Sequence, residues 1–335
     1  MILSMNLADR SYPIVVEAGG LNRLKELFSL ERKVLIVTDD NVPAAYAQTA
    51  AQACKHPVTV TLPAGEQTKC FASLEKLCTA LLDNGFTRTD AVLAVGGGVI
   101  GDLAGFAAAC FMRGIDFYNV PTTLLSQVDS SIGGKTAIDL NGTKNIVGAF
   151  WQPKGVVIDP QLLDTLPRRQ LVNGLAEVIK MAATSDERLF CLLEEQDPFQ
   201  HLEEVITAAL KIKKSVVEQD EKEAGLRRVL NFGHTLGHAI ESLCPQLYHG
   251  ECVALGTLLV TGKPLRERLM RLYQKVGLPT QFPCDLERAL ELVAHDKKAD
   301  QDRIRFIYVE KPGSFEQMTL SLQDFNKRIK ESEKL

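Results

Sequence analysis

The run Ala91-Val92-Leu93-Ala94-Val95-Gly96-Gly97-Gly98-Val99-Ile100-Gly101-Asp102 decides how the first half of this chain reads. The short β-rich run 91–95 predicts a strand. Gly96, Gly98 and Gly101 then fit G-x-G-x-x-G, and the apolar stretch 103–111 predicts a helix directly after the loop. Glycines let a backbone approach a pyrophosphate, and the first amides of a helix add a positive dipole end. A tight strand-to-helix turn with no ligand satisfies the same pattern, so the neighbouring segments must separate the two readings.

Upstream, the β-rich runs 14–17, 34–37 and 58–62 alternate with helical patterns, and 117–120 and 155–158 continue the series. Between them, 68–84 and 99–112 have helical periodicity. Such alternation predicts a mostly parallel sheet covered by helices. The run 34–37 leads into Thr38-Asp39-Asp40-Asn41, which puts short polar side chains at the carboxyl edge of the sheet, where nucleotides bind in open α/β folds. The acidic strand end precedes the glycine loop here, so the connectivity is Rossmann-like without the usual dinucleotide order. Pro63-Ala64-Gly65-Glu66-Gln67-Thr68-Lys69 ends another strand; it reads either as a ribose or adenine contact or as a plain helix cap.

After Asp159-Pro160 the patterns become helical, at 168–183, 187–195, 202–223, 234–243, 251–261, 264–276 and 286–295, with one late strand at 304–309. The expectation is an α/β Rossmann-like N-terminal domain at 1–158 and an all-α C-terminal domain at 159–335, with the ligand in the cleft between domains. A chain of 335 residues suits two cores better than one.

Bulk properties narrow the function classes. The formal net charge of −4 argues against a general nucleic-acid binder, which would carry a basic field. The eight cysteines show no CxxC spacing and read as reduced thiols. No signal-peptide pattern opens the chain and no apolar run reaches the length of a membrane span, so a cytoplasmic protein is expected.

The helical half holds the second chemical signal. His234 and His238, four apart in Asn231-Phe232-Gly233-His234-Thr235-Leu236-Gly237-His238, share one helix face. His249 follows closely, and Glu177 lies in Ala176-Glu177-Val178-Ile179-Lys180. Three ligands of histidine and carboxylate type with one position open describe a catalytic zinc-type site. Two satisfied helix histidines are the plainer alternative. The hydroxyl- and glycine-rich run 121–136 carries Lys135. Its Gly133-Gly134-Lys135-Thr136 resembles the end of a P-loop, but Asp129 stands where the first glycine should be, which rejects that motif. With Arg113, Lys144, Lys180 and Arg227 also near these segments, an anionic small-molecule substrate fits.

Five blocks carry a family resemblance: Gly-Gly-Gly-Val-Ile-Gly-Asp-Leu-Ala-Gly-Phe from Gly96, the run from Val120 to Thr136, Lys-Asn-Ile-Val-Gly-Ala-Phe from Lys144, Ala-Glu-Val-Ile-Lys from Ala176, and Arg-Val-Leu-Asn-Phe-Gly-His-Thr-Leu-Gly-His-Ala-Ile-Glu from Arg228. Together they closely resemble the 3-dehydroquinate synthase family, over about 39–298. The resemblance implies NAD and a catalytic Zn2+, replaceable by Co2+. It implies Glu177, His234 and His249 as metal ligands. NAD contacts would come from Asp39, Asn41, Glu66, Lys69, Gly97, Gly98, Val99, Ile100, Gly101, Asp102, Thr122, Thr123, Lys135 and Lys144, and from Leu162, Leu163, Asp164 and Thr165. The substrate, 3-deoxy-D-arabino-heptulosonate 7-phosphate, would meet Asp129, Lys135, Lys144, Asn145, Lys180, Arg227, Asn231 and His238, with Lys297 or Lys298. Arg113 would reach its phosphate, across the interface of a homodimer. The implied reaction is a transient oxidation by NAD, phosphate elimination, re-reduction, ring opening and intramolecular aldol closure, with His238 relaying a hydroxyl proton.

Two segments depart from the pattern. Asn141-Gly142-Thr143 is shorter than in much of the family, and Thr261-Gly262-Lys263-Pro264 interrupts what is commonly a longer helix. The rival functions are another sugar-phosphate cyclase, a metal-dependent polyol dehydrogenase of the same superfold, and a non-catalytic nucleotide-binding regulator.

Overall fold

The buried apolar run 91–95 forms an inner strand, third from one edge, of a seven-stranded sheet in the computed structural model, which describes residues 1–296 and 303–333. The chain divides into two compact units, Met1–Pro167 and Arg168–Leu335.

In the first unit the strands are β1 (Ile2–Met5), β2 (Tyr12–Val16), β3 (Lys33–Asp39), β4 (His56–Leu62), β5 (Ala91–Gly96), β6 (Asp116–Pro121), β7 (Lys135–Leu140), β8 (Thr143–Phe150) and β9 (Gly155–Ile158). The helices are α1 (Leu24–Leu27), α2 (Ala44–Ala53), α3 (Phe71–Asp83) and α4 (Gly98–Cys110). The sheet order is β1-β2-β9-β6-β5-β3-β4. Only the edge pair β1–β2 is antiparallel. Strands β3, β5 and β9 are buried almost throughout, which explains why they read as unbroken apolar runs.

Two cores cover the two sheet faces. Leu35, Val37, Val92 and Ala94 pack with Leu77 and Leu81 of α3 and Leu103 and Ala107 of α4. Val34, Ile36, Leu93 and Val95 pack with Leu24 of α1 and Ala47 and Ala50 of α2. The chain therefore leaves β3 toward one face and β5 toward the other. These two strands are neighbours, so the sheet switches direction between their carboxyl ends.

β7 and β8 form a separate hairpin absent from the sequence reading. Asn141 and Gly142 both have positive φ (51° and 80°), as a two-residue type I′ turn requires, which accounts for the compact loop. The boundary also falls later than residue 158. Asp159 accepts hydrogen bonds from the Gly19 and Leu21 N–H groups at 3.0 and 3.1 Å, keeping the turn at 160–163 with the first unit.

The second unit is largely helical, with α5 (Arg168–Ser185), α6 (Glu187–Glu195), α7 (Leu202–Gln219), α8 (His234–Leu243), α9 (His249–Leu259), α10 (Lys263–Val276), α11 (Leu286–Asp296) and α12 (Leu322–Glu333). The late strand is β10 (Arg303–Tyr308), and it pairs antiparallel with β11 (Glu316–Ser321), a largely exposed strand in which only Met318 and Leu320 are partly covered. Pro264 sits in the first turn of α10, so the interruption at 261–264 is a helix boundary, as proline at that position favours. α9 starts at His249, earlier than expected, because Glu251 accepts the Tyr248 N–H at 2.8 Å and closes the first turn. No helix among the described residues is long and apolar enough to cross a membrane. All eight cysteines are free thiols.

Candidate functional site

At the switch point of the first unit, Asp39 ends β3 and Gly96 ends β5. Asp39 Oδ1 accepts the Asn41 and Val42 N–H groups at 2.9 and 3.1 Å, so the carboxylate shapes its own turn. The glycine loop is tight for a local reason. A Cβ on Gly97 would lie 3.1 Å from Thr123, and one on Gly98 would lie 3.0 Å from Ser130 Oγ. The loop thus nests against the hydroxyl-rich segment after β6, which winds through a π-type turn at 126–130 carrying Asp129.

Lys69 is the hub of this edge. Its buried Nζ donates to Asp102 Oδ2 at 2.8 Å and to Asn145 Oδ1, and Glu66 Oε1 lies 3.6 Å away. Burial alone would lower the Lys69 pKa, but Asp102 and Glu66 outweigh it and raise it, so the amine stays charged. Asn145, expected among the substrate contacts, is therefore joined to the expected NAD group. Asp139 completes the link: its Oδ1 accepts the Asn145 N–H and its own N–H donates to the Lys69 carbonyl, both at 2.8 Å.

Other expected contacts are placed differently. Lys135 and Lys144 are exposed on the hairpin, and Arg113 is exposed in a left-handed turn (φ 70°). Leu162 and Leu163 turn their side chains into the core, so only their backbone is open to a ligand, whereas Asp164 and Thr165 are exposed. Lys297 and Lys298 lie outside the described residues.

The second unit brings Glu177 of α5, His234 and His238 of α8 and His249 of α9 into one cluster. Three imidazoles form a triangle with ring centroids 5.3 to 5.9 Å apart. His234 Nε2 and His249 Nε2 lie 3.8 and 3.6 Å from Glu177 Oε1. Lys180, one turn along α5, is buried and paired with Oε2. Glu177 is fully buried, and apart from the Lys180 ammonium and the two imidazole edges no hydrogen-bond donor among the described residues reaches its oxygens. A buried carboxylate with two imidazole nitrogens turned to its free Oε1 fits a cation. One ligand atom from each of Glu177, His234 and His249 falls within 4.8 Å of the others.

The protonation states agree with that fit. Burial alone would raise the Glu177 carboxyl, but Lys180 and the two imidazoles hold it well below the usual range. Burial and Lys180 hold His234 well below its usual value against the opposing pull of Glu177, so its ring is neutral. His249 is pushed up to about 9: burial works to lower it, but the facing Glu177 and Glu241 carboxylates prevail. Where no cation is bound, its proton balances the carboxylates.

Arg227 is buried, its N–H given to Asp220 Oδ2 at 2.9 Å and its guanidinium to the Glu221 carbonyl. Asn231 Nδ2 donates to Glu223 at 2.7 Å. Both are held by the loop after α7. Three features went unnoticed in the sequence. Glu241 touches His249, Asn173 accepts the Gly250 N–H at 2.6 Å, and Arg169 makes a two-pronged ion pair with Glu251 at 2.7 Å. The available signal was spacing: Arg169, Asn173 and Glu177 recur every four residues on one face of α5.

A switched α/β unit with a glycine-rich strand end, followed by a helical unit with a two-histidine, one-carboxylate cluster, defines a class of fold shared by cyclases and dehydrogenases. Solved structures bear this out. A 2-deoxy-scyllo-inosose synthase solved with carbaglucose-6-phosphate, NAD+ and Co2+ matches with a TM-score of 0.87 at 24% identity, covering 99% of both chains. The 2-epi-5-epi-valiolone synthase of Streptomyces hygroscopicus, solved with NAD+ and Zn2+, matches with 0.87 at 26% identity over 98% of both. A probable glycerol dehydrogenase from Sinorhizobium meliloti shares the fold more distantly, with 0.63 at 18% identity.

Within that class the chain belongs to the 3-dehydroquinate synthase family. The family's N-terminal model matches residues 59–173 and its C-terminal model residues 174–299. A 3-dehydroquinate synthase of Enterococcus faecalis is 41% identical over 97% of both chains, and one of Geobacter metallireducens is 42% identical over 93% of this chain and 94% of its own.

Proposed function

We propose that this chain is a 3-dehydroquinate synthase that converts 3-deoxy-D-arabino-heptulosonate 7-phosphate to 3-dehydroquinate and phosphate, in the shikimate pathway. The observation that carries the reading is the Glu177, His234 and His249 cluster beside buried Lys180, in a chain that the family's models cover from 59 to 299.

The residues present fit both implied groups. Zn2+ or Co2+ would be held by Glu177, His234 and His249, and would supply Lewis acidity toward a substrate hydroxyl. NAD would be held by Asp39, the cradle of Gly97 and Gly98 against Thr123 and Ser130, and the Lys69–Asp102 pair, and would supply a hydride acceptor that is regenerated within one turnover.

The remaining work falls to the chain's own side chains. Exposed His238, on the ligand face of α8, takes the hydroxyl proton. Lys180 keeps Glu177 ionised and offers a cation to substrate oxygens. Arg227 and Asn231, fixed by Asp220, Glu221 and Glu223, present donors suited to a carboxylate. Lys135, Lys144 and Arg113 supply positive charge for the phosphate, with Asp129 and Asn145 orienting hydroxyls. The protein works in the cytoplasm as a homodimer, without nucleic acid or membrane; the net charge of −4 supports the exclusion of nucleic acid.

The test incubates metal-loaded protein with NAD and the heptulosonate phosphate. Phosphate and 3-dehydroquinate should form in equal amounts with no net NADH. Net NADH would identify a dehydrogenase instead, and phosphate without a carbocycle would defeat the ring-closing sequence. His249→Ala should lose the metal while keeping the fold, checked by metal analysis and circular dichroism.

A further inference from the structure

We propose that Glu241 is a positioning residue of the metal centre: its carboxylate receives the His249 Nδ1–H and so fixes the ring with Nε2 toward Glu177 and the cation. This rests on reading Glu177, His234 and His249 as the ligands.

A neutral imidazole has one N–H and one lone pair, so a ring that ligates through Nε2 carries its proton on Nδ1 and needs an acceptor there. Both candidate ligands meet this condition. His234 Nδ1 lies 3.2 Å from the Phe232 carbonyl, an acceptor supplied by its own chain just before α8. His249 opens α9, and no carbonyl of its own segment is bonded to its ring. Glu241 Oε2 stands there instead, 3.3 Å from Nδ1.

Position and burial both suit that task. Glu241 follows His234 by seven residues and His238 by three, so all three side chains share one face of α8. Its side chain is only 16% exposed, against 30% for His249, so the contact is shielded from water. The backbone around His249 is fastened independently, by Asn173 on the Gly250 N–H and by the Glu251 carboxylate, itself paired with Arg169, on the Tyr248 N–H. With the backbone fixed, the remaining freedom is rotation of the ring, and that is what Glu241 removes. A carboxylate acceptor also makes the ring a better donor to metal than a carbonyl would.

Ligand atoms of His238, Glu241 and His249 also come within 4.8 Å of one another, so a second ion bound directly by Glu241 is the competing assignment. It would force His249 to give both nitrogens to metal with no proton left on the ring, which makes it the poorer reading.

The test measures zinc affinity by chelator competition, and the visible spectrum of the Co2+ form, for the full chain and for H249A, E241A and E241Q. The wild type should hold one ion. E241A should bind it about 10- to 100-fold more weakly, with a shifted Co2+ spectrum. E241Q, whose amide oxygen still accepts but carries no charge, should fall between the two. Because E241Q is isosteric, it decides the matter if E241A does not fold. Unchanged affinity in the folded variants, with the ion lost in H249A, would overturn the role of Glu241 and leave the ligand set standing. An ion retained in H249A would instead remove the ligand set itself. Two ions in the wild type, one of them lost in E241A, would make Glu241 a direct ligand and overturn the proposal as stated.

Discussion

His249 is held between two carboxylates, Glu177 and Glu241. Its pKa of about 9 lies above the usual 6.5 because two carboxylates outweigh burial. The metal-free protein therefore gains stability from this group in full below pH 6.5, and loses it as the pH rises through about 9. Metal binding has the opposite dependence, since the ion must displace that proton. Glu177 and His234 are already deprotonated near neutrality, so one proton is released. The logarithm of zinc affinity should rise by about one unit per pH unit below pH 9 and then level off, as metal-buffered titration would show. A flat profile between pH 7 and 9 would mean that His249 is not protonated in the free site. At this scale the sequence was legible where spacing on one helix carried the chemistry, as with His234 and His238. Glu241 and Asn173 were not, because each acts across helices: spacing puts them on the ligand faces of α8 and α5 but does not say what stands opposite.

Elements fix the distances between these residues. α8 and α9 are packed backbone to backbone: a Cβ on Gly256 would lie 2.1 Å from the Gly233 carbonyl and 2.9 Å from the Gly237 nitrogen. Neither obstacle is a flexible side chain, so the helices themselves would have to part. Gly256→Ala should cost about 1–3 kcal/mol, the range for overpacking, and lower the thermal midpoint. Because α8 carries His234 and α9 carries His249, it should also weaken zinc binding while touching neither ligand. Stability lost with zinc affinity unchanged would show that the helices can part without moving the ligands. Helix bounds were readable here from the 3.6-residue period to within a few residues. The hairpin β7–β8 was not, although Asn141-Gly142 is a strong turn signal, because its strands carry exposed Lys144, Asn145 and Ile146 where an apolar face was sought. β11 escaped because its alternation is only two apolar residues long, Met318 and Leu320, in an otherwise exposed polar strand.

For the whole molecule, alternation in the first half and helical periods in the second sufficed to place two units of different architecture. The boundary was less legible, because Asp159 is bonded to Gly19 and Leu21, 138 to 140 residues earlier in the chain. The two units also carry different candidate ligand sets, one at the ends of β3 and β5 and one on α5, α8 and α9. That separation can be measured. A ligand that binds only the native state slows exchange through unfolding by the factor 1 + [L]/Kd, about a hundredfold when its concentration is a hundred times Kd. Zinc at that level should slow amide exchange most in α5, α8 and α9, where the ligands sit beside the hydrogen-bonded Tyr248 and Gly250 N–H groups. NAD should slow it most at 96–102 and in the turn after Asp39. Hydrogen exchange read by mass spectrometry resolves these peptides separately. Zinc protection that leaves α8 and α9 unchanged would remove the metal from the second unit, and NAD protection that spares 96–102 would reduce the glycine loop to a tight turn.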